Sequence, residues 1–178
     1  GPTDKFIPVA VPENVTYNSV ASDQYVIAVV QYQTSFSPDL PPTTVRGYVQ
    51  VETPAVGAVS QHVALTNTRL DGTKVPVLDA NGDQVYGVTA PQWLGPFIMS
   101  TKDRPTRVIF HNYLPKGAEG DLFLPVDSSM MGSGMGPQTM TDPVDSKSVL
   151  DEVRNLACTQ SPKDAMCFTD NRATLHLH

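Results

Sequence analysis

The clearest strand signal in the chain is TRVIFHNYLP, residues 106–115. Apolar residues recur along it often enough for a strand to bury one face, and a proline ends it. Residues 25–33 begin with the apolar run YVIAVV, and residues 45–51 and 62–68 alternate in part, so all three segments are predicted to be strands. Residues 79–83, DANGD, predict the tight turn of a hairpin because an Asn-Gly pair accepts positive φ angles. The chain is therefore predicted to be all-β.

The composition favours a single domain built as a β-sandwich or barrel. The 178 residues are enough for one sizeable β domain, and too few for two full domains with a linker. Sixteen prolines and twelve glycines interrupt the chain so often that long helices are not expected. One short helix is predicted over residues 146–157, where three apolar residues have helical spacing. Residues 130–141 are expected to hold no regular element, and residues 172–178 are predicted to form a final strand.

The charge pattern argues against nucleic-acid and membrane partners. The net charge of -6 is spread along the chain, and Lys and Arg do not gather into a patch that would neutralise phosphates. No apolar stretch is long enough to cross a bilayer. We therefore expect no nucleic-acid partner and no membrane span.

Cys158 and Cys167 are the only two cysteines in the chain. An even number with a short loop between them permits a local disulfide in an oxidising compartment, and two buried free thiols are the alternative. A disulfide would accompany a secreted, periplasmic or cell-surface location, which is the location we expect.

Two histidines stand two residues apart at the end of the chain, His176 and His178. In a strand, residues two apart point to the same face, so these two would present their imidazoles side by side. Imidazole binds copper well, and a strand holds two such ligands with little ordering needed when metal arrives. A solvated strand end with an accidental histidine pair is the alternative interpretation.

Three segments in a particular order give the chain a family resemblance. They are TRVIFHNYLP at residues 106–115, DLFLPVD at residues 121–127 and ATLHLH at residues 173–178. In this order they resemble the first domain of multicopper oxidases, particularly the bacterial spore-coat laccase type. Weaker matches to the same family lie upstream, at residues 95–96 (Gly-Pro) and 46–48 (Arg-Gly-Tyr). The amino-terminal portion is not matched.

The resemblance implies a fold and a set of metal ligands. The fold would be a cupredoxin-like Greek-key β-sandwich or barrel with one short helix, a single N-terminal domain over residues 1–178 that ends in the His-Leu-His strand. His176 would ligate the type 2 copper and His178 one of the type 3 coppers of a trinuclear cluster. The type 1 copper and the other histidine motifs would belong to oxidase domains absent from these residues. Neither cysteine is flanked by histidine, so neither is expected to be a type 1 ligand.

The resemblance also implies an activity, that of a laccase-like copper-dependent oxidase. Such an enzyme takes single electrons from a reducing substrate and passes them to the trinuclear cluster, where dioxygen is reduced to water. We expect the remaining oxidase domains as partners, and no activity from these residues alone. The reducing substrate, whether a phenol, a metal ion or a bilirubin-like pigment, is left open. The rival functions are a non-catalytic β-sandwich for adhesion or assembly, and a domain that carries one copper ion without oxidase chemistry.

The other candidate residues are interpreted structurally. His62 and His111 are expected to be partly buried, hydrogen-bonded histidines rather than ligands. The methionines of residues 130–140 could offer thioethers to cuprous ion, but packing in a glycine-rich loop is favoured. Trp93 is expected to anchor the core, with a surface contact as the alternative.

Overall fold

The structure is a computed structural model that divides into two compact units, Gly1–Leu114 and Pro115–His178. Almost all of the regular structure described is β-strand, with short 3-10 turns at Gly57–Val59 and Gly117–Gly120. This confirms the all-β prediction. In the described part of the chain, no helix is long and apolar enough to cross a membrane. The residues that the structure describes are 6–120, 139–141, 148–150 and 170–175.

Ten strands are described, most of them short. Three of the predicted strands are present: residues 25–33 lie within Val20–Thr34, residues 45–51 correspond to Thr43–Gln50, and residues 106–115 begin with Thr106–Asn112. In chain order the strands are β1 (Glu13–Tyr17), β2 (Val20–Thr34), β3 (Thr43–Gln50), β4 (Val63–Ala64), β5 (Thr66–Thr68), β6 (Lys74–Pro76), β7 (Tyr86–Gly87), β8 (Thr106–Asn112), β9 (Thr139–Thr141) and β10 (Ser148–Leu150).

The main sheet has four strands arranged around β2. β1 and β3 pair antiparallel with the first and last parts of β2, and β8 pairs parallel with its middle. Asp23 and Gln24 pair with both β1 and β8, and Ile27, Ala28 and Val29 pair with both β3 and β8, so β8 lies on the opposite side of β2 from β1 and β3. The turn from β1 to β2 consists of Asn18 and Ser19, both at positive φ (49° and 63°), and such turns match the twist of paired strands.

Both faces of β2 are buried, which explains its unbroken apolar run. Side chains alternate between the two faces of a strand, so Tyr25 and Ile27 enter one cluster while Val26, Ala28 and Val30 enter the other. The second cluster is the larger and includes Leu65, which is fully buried. In addition to the three β2 residues it contains Val49, Val51, Leu65, Val77 and Val85, with Ile109 and Tyr113 packed against it.

Two small ladders lie between β3 and β8 in the chain. β4 pairs with β7 and β5 with β6, so the strand predicted over residues 62–68 is divided in two at Leu65. The hairpin predicted at residues 79–83 is confirmed. The amide of Asp79 donates to the carbonyl of Asp83 (2.9 Å), and Gly82 has a φ of 89°. The Asp79 carboxylate caps the turn by accepting from the amides of Asn81 and Asp83, as in a solvated Asx turn.

The second unit corrects three predictions. Ser148–Leu150 is strand β10, antiparallel to β9, so the helix predicted over residues 146–157 is wrong at those three residues, and β9 lies where no regular element was expected. Helical spacing of apolar residues does not prevent a β-branched residue such as Val149 from pairing in a strand. Residues 171–175 belong to no helix or strand, so the final strand is not formed in the part of it that is described. A strand needs a pairing partner as well as suitable residues.

Candidate functional site

The predicted copper ligands lie outside the described residues. His176 and His178 are beyond residue 175, and Cys158 and Cys167 lie in the range 151–169, which is also outside them. Met130, Met131 and Met135 also lie outside the described residues, whereas Met140 is a residue of β9. The copper site, the disulfide and the cuprous-ion alternative therefore stay predictions.

The two weaker segments of the resemblance, residues 46–48 and 95–96, are separated by 46 residues of chain and meet in space. Gly95 has a φ of 74°, and a Cβ there would lie 2.7 Å from the Cβ of Tyr48. Gly47 lies so close to Gln92 that a Cβ would be 2.5 Å from the carbonyl oxygen of that residue. Reciprocal backbone hydrogen bonds between Tyr48 and Gln92 (2.8 and 3.1 Å) hold the two segments together. Both glycines are thus required by close backbone approach.

Tyr48 also reaches the strongest segment of the resemblance. Its ring lies 6.2 Å from the ring of Phe110 in β8, at an interplanar angle of 40°, which is a tilted aromatic contact. Both rings pack against the core cluster formed by Ala10, Tyr25 and Ile27. Residues 46–48, 95–96 and 106–115 therefore converge on one aromatic side chain.

The end of β8 is anchored by backbone hydrogen bonds. The amide of Tyr113 donates to the carbonyl of Val29 (3.1 Å), and the Tyr113 carbonyl accepts from Nδ2 of Asn67 (2.6 Å). Oδ1 of Asn112 accepts from the amide of Leu114 (3.1 Å), and Leu114 is buried. The Asn-Tyr-Leu turn that follows the strand is therefore locked to the main sheet.

The described residues also contain a carboxylate–imidazole pair that the sequence did not indicate. Nδ1 of His62 lies 2.9 and 3.1 Å from the two carboxylate oxygens of Glu52, and the imidazole stacks on the ring of Tyr86 at 3.8 Å and 13°. The hydroxyl of Ser60 donates to Glu52 and accepts from the amide of His62. The backbone of His62 has a φ of 52°, a conformation that is uncommon for a residue with a side chain.

These contacts fix the chemistry of the pair. Hydrogen bonds from the Ser60 hydroxyl, and next from His62, hold the pKa of the Glu52 carboxyl below its usual range. Because Nδ1 faces the Glu52 carboxylate, Nε2 is the acceptor nitrogen whenever the imidazole is neutral. The His62 side chain is 62% exposed. Ser60 contacts the carboxylate rather than Nε2, so the three residues are not arranged as a nucleophilic serine triad. The pair is therefore an imidazole oriented by a carboxylate.

No pattern in the sequence predicts that Glu52 and His62 lie together. The backbone of Glu52 donates to the carbonyl of Tyr86 (2.8 Å), and Gln61 donates to Val88 (2.8 Å), so β7 and its continuation align the two residues from either side. The prediction that His62 is hydrogen-bonded is confirmed, but the residue is exposed rather than partly buried.

The remaining candidates lie on the surface. His111 is exposed, and its ring is parallel to that of Tyr113 at 5.5 Å. Trp93 is 57% exposed, so the expectation that it anchors the core is wrong. Its segment contains Gly95, whose positive φ turns the chain and leaves the indole outside the core.

A groove of about 390 Å³ opens beside the end of β2. Burial raises the pKa of the Tyr32 phenol, and Lys74 supplies a positive charge. None of the residues that carry the resemblance lines it. Its lining includes Tyr32, Thr34, Pro42, Thr66, Thr68 and Lys74.

The described residues contain no cluster of three or more His, Cys, Asp or Glu that could hold a metal ion. No protein-family profile, no curated protein and no solved structure matches this chain.

Proposed function

We propose that this chain is the first, cupredoxin-type domain of a laccase-like multicopper oxidase. In the complete enzyme, single electrons from a reducing substrate are passed to a trinuclear copper cluster, and dioxygen is reduced to water. The chain contributes two histidines to that cluster and has no oxidase activity by itself.

The convergence on Tyr48 is the observation that supports this proposal most. The resemblance includes three segments, residues 46–48, 95–96 and 106–115, and 57 residues of chain separate the first from the last. An accidental resemblance would have no reason to pick segments that contact one another. Here they share contacts with one side chain, and two of the matched residues are glycines for which no other residue has room.

The donor atoms of the proposed site suit copper. His176 would hold the type 2 copper and His178 a type 3 copper, because imidazole nitrogen is a preferred copper ligand. When bound, copper supplies storage of single electrons. The other imidazoles and the type 1 copper would come from further domains of the oxidase, since His176 and His178 form the single His-x-His motif of this sequence.

Two further properties belong to the same proposal. Cys158 and Cys167 would form a disulfide, and the oxidase would be exported to an oxidising compartment, where such a bond persists. The reducing substrate would dock near the type 1 copper, so its identity is not a property of this domain.

The test is a copper and mass measurement on the intact protein, with variants of all four histidines. We expect about four coppers per assembly, a mass above 19.2 kDa and dioxygen consumption with a reducing substrate. His176→Ala and His178→Ala should each lose cluster copper and lower the rate of dioxygen consumption at least about 100-fold, the upper end of what outer-shell partners of a metal cost. His62→Ala and His111→Ala are the matched controls and should keep both copper and rate.

Three results would contradict the proposal. A mass near 19.2 kDa without copper would favour the adhesion or assembly module. One copper per molecule without dioxygen consumption would favour a copper-carrying domain. Equal effects of all four histidine variants would remove the special role of the His-Leu-His motif.

A further inference from the structure

An apolar ribbon covers one face of the main sheet, formed by residues 6–10 and 96–99. The two segments run parallel, with Val9 opposite Phe97. The amide of Phe97 donates to the carbonyl of Pro8 (2.7 Å), and its carbonyl accepts from the amide of Ala10 (2.9 Å). The ribbon is therefore a hydrogen-bonded element, and not two loose segments.

The inner face of the ribbon is part of the core. Ala10 is buried together with Tyr25 and Ile27, and Ile98 packs against them. The Tyr25 hydroxyl donates to the carbonyl of Met99 (2.9 Å), which fastens the ribbon to β2.

The outer face of the ribbon is equally apolar but is exposed. Residues two apart share a face, so Ile7 lies beside Val9, and Met99 beside Phe97. Val9 is 56% exposed and Phe97 is 58% exposed. An extended element that is apolar on both faces is typical of one buried on both sides. Phe6 at the start of the ribbon, and Trp93 and Leu94 just before residues 96–99 in the chain, are also more than half exposed.

The area of this face matches that of a stable interface. Seven large side chains between 51% and 71% exposed contribute to it. At about 200 Å² for a large side chain, they present about 800 Å² of surface in total. The largest apolar patch of a monomer is usually about 300–600 Å², and a standard interface buries about 800 Å² on each partner.

The charge distribution favours contact at this face between like-charged molecules. Two copies of a chain with a net charge of -6 repel each other. Residues 6–12 and 84–101 contain no Asp, Glu, Lys or Arg, so a contact made there buries no charge. Aromatic residues and methionine, which the face contains, are enriched in the cores of protein interfaces.

We propose that two copies of this chain associate through the outer face of the apolar ribbon. This inference does not depend on copper or on oxidase activity. It assigns the exposed Trp93 and Phe97 a role as contact residues.

Analytical ultracentrifugation over about 1–200 µM tests the proposal. A standard-size interface with a few strong contacts associates within this concentration range. We expect the mass to rise from 19.2 kDa toward twice that value with concentration. Phe97→Asp places like charges at the contact and should weaken association at least about tenfold. Phe36→Asp is the matched control, because Phe36 is 65% exposed in a turn outside the ribbon, and it should associate as the wild type does.

A second measurement avoids substitution. Oxidation of Met99 by hydrogen peroxide, followed by peptide mass, should slow several-fold between the monomeric and the dimeric concentration. A chain that stays at 19.2 kDa throughout, or equal effects of Phe97→Asp and Phe36→Asp, would overturn the proposal. So would protection of Met99 in a longer polypeptide of monomeric mass, because the occupant would then be another part of the same polypeptide.

Discussion

Gly47 lies in β3 where the backbone of the segment before Gly95 crosses it. A side chain at this position would meet the carbonyl of Gln92 at 2.5 Å and the ring of Tyr32 at 2.7 Å. The backbone oxygen cannot move without breaking the hydrogen bonds between Tyr48 and Gln92. Gly57 offers a contrast within the same unit, since a Cβ there would have no heavy atom within 4 Å.

We expect Gly47→Ala to lower the free energy of unfolding by about 1–3 kcal/mol, because the added methyl group overpacks a rigid contact. Gly57→Ala is the matched control and should be neutral or stabilise by about 0.4–1 kcal/mol through the unfolded state. Urea denaturation followed by circular dichroism measures both values. Equal effects of the two substitutions would mean that the contact with Gln92 is not tight.

Glu52 provides a pH-dependent contribution to stability. Its pKa is lowered in the folded protein, chiefly by the hydroxyl of Ser60 and then by His62. A carboxyl with a depressed pKa stabilises the folded state above its unfolded pKa of about 4.3, and the stabilisation is lost as the pH falls through the folded value.

Glu52→Gln should therefore lower the melting temperature at about pH 6, and the difference should shrink as the pH is lowered and the Glu52 carboxylate becomes protonated in the folded protein. Asp39→Asn, at an exposed carboxylate in a turn, is the control and should leave the melting temperature unchanged at pH 6. Differential scanning calorimetry across this range gives the comparison. A difference that stays the same however far the pH is lowered would show that the carboxylate charge is not responsible.

At the scale of elements, β2 is fastened to both of its neighbouring layers. Its even-numbered residues pack into the larger cluster, and Tyr25 on the other face reaches the ribbon. Burial is the main cause that raises the pKa of the Tyr25 phenol, with the nearby Asp23 second, so the hydroxyl stays protonated and donates to Met99.

Tyr25→Phe should lower the free energy of unfolding by about 0.5–1.5 kcal/mol, because the hydrogen bond from the Tyr25 hydroxyl to the carbonyl of Met99 is lost. Tyr17→Phe is the matched control, since Tyr17 is half exposed and its ring keeps the contact with Arg107. Chemical denaturation of the two variants decides this. A loss no larger than that of the control would mean that water replaces the hydroxyl.

The strands with strong local patterns were predictable, and the weak ones were not. β2, β3 and β8 have apolar runs or alternation that any sheet would bury, and the turn at residues 79–83 is specified by Asn-Gly. β1 was not predicted, because it is an edge strand with mostly exposed residues and little periodicity. β10 was predicted as helix, because three apolar residues at helical spacing outweighed a single valine.

At the scale of the whole molecule, the apolar residues exceed what one core uses. Two clusters fill the two faces of the main sheet, and a third apolar surface remains on the outer face of the ribbon. The chain carries a net charge of -6 elsewhere, which keeps most of its surface from self-association. The proposed dimer and the proposed oxidase domain use different parts of the chain and are tested independently.

The sequence by itself determined the all-β class, the central strands and the hairpin turn, because these depend on periodicity and on the conformational freedom of individual residues. It also supplied the His-Leu-His motif and the resemblance from which the copper proposal comes. Only the tertiary structure decided the parallel pairing of β8 with β2, the meeting of Gly47, Tyr48 and Gly95, the pair Glu52–His62 and the exposed outer face of the ribbon. These features join residues far apart in the chain, and local preferences of at most about 1 kcal/mol per residue cannot choose among distant partners without the burial that the whole fold provides.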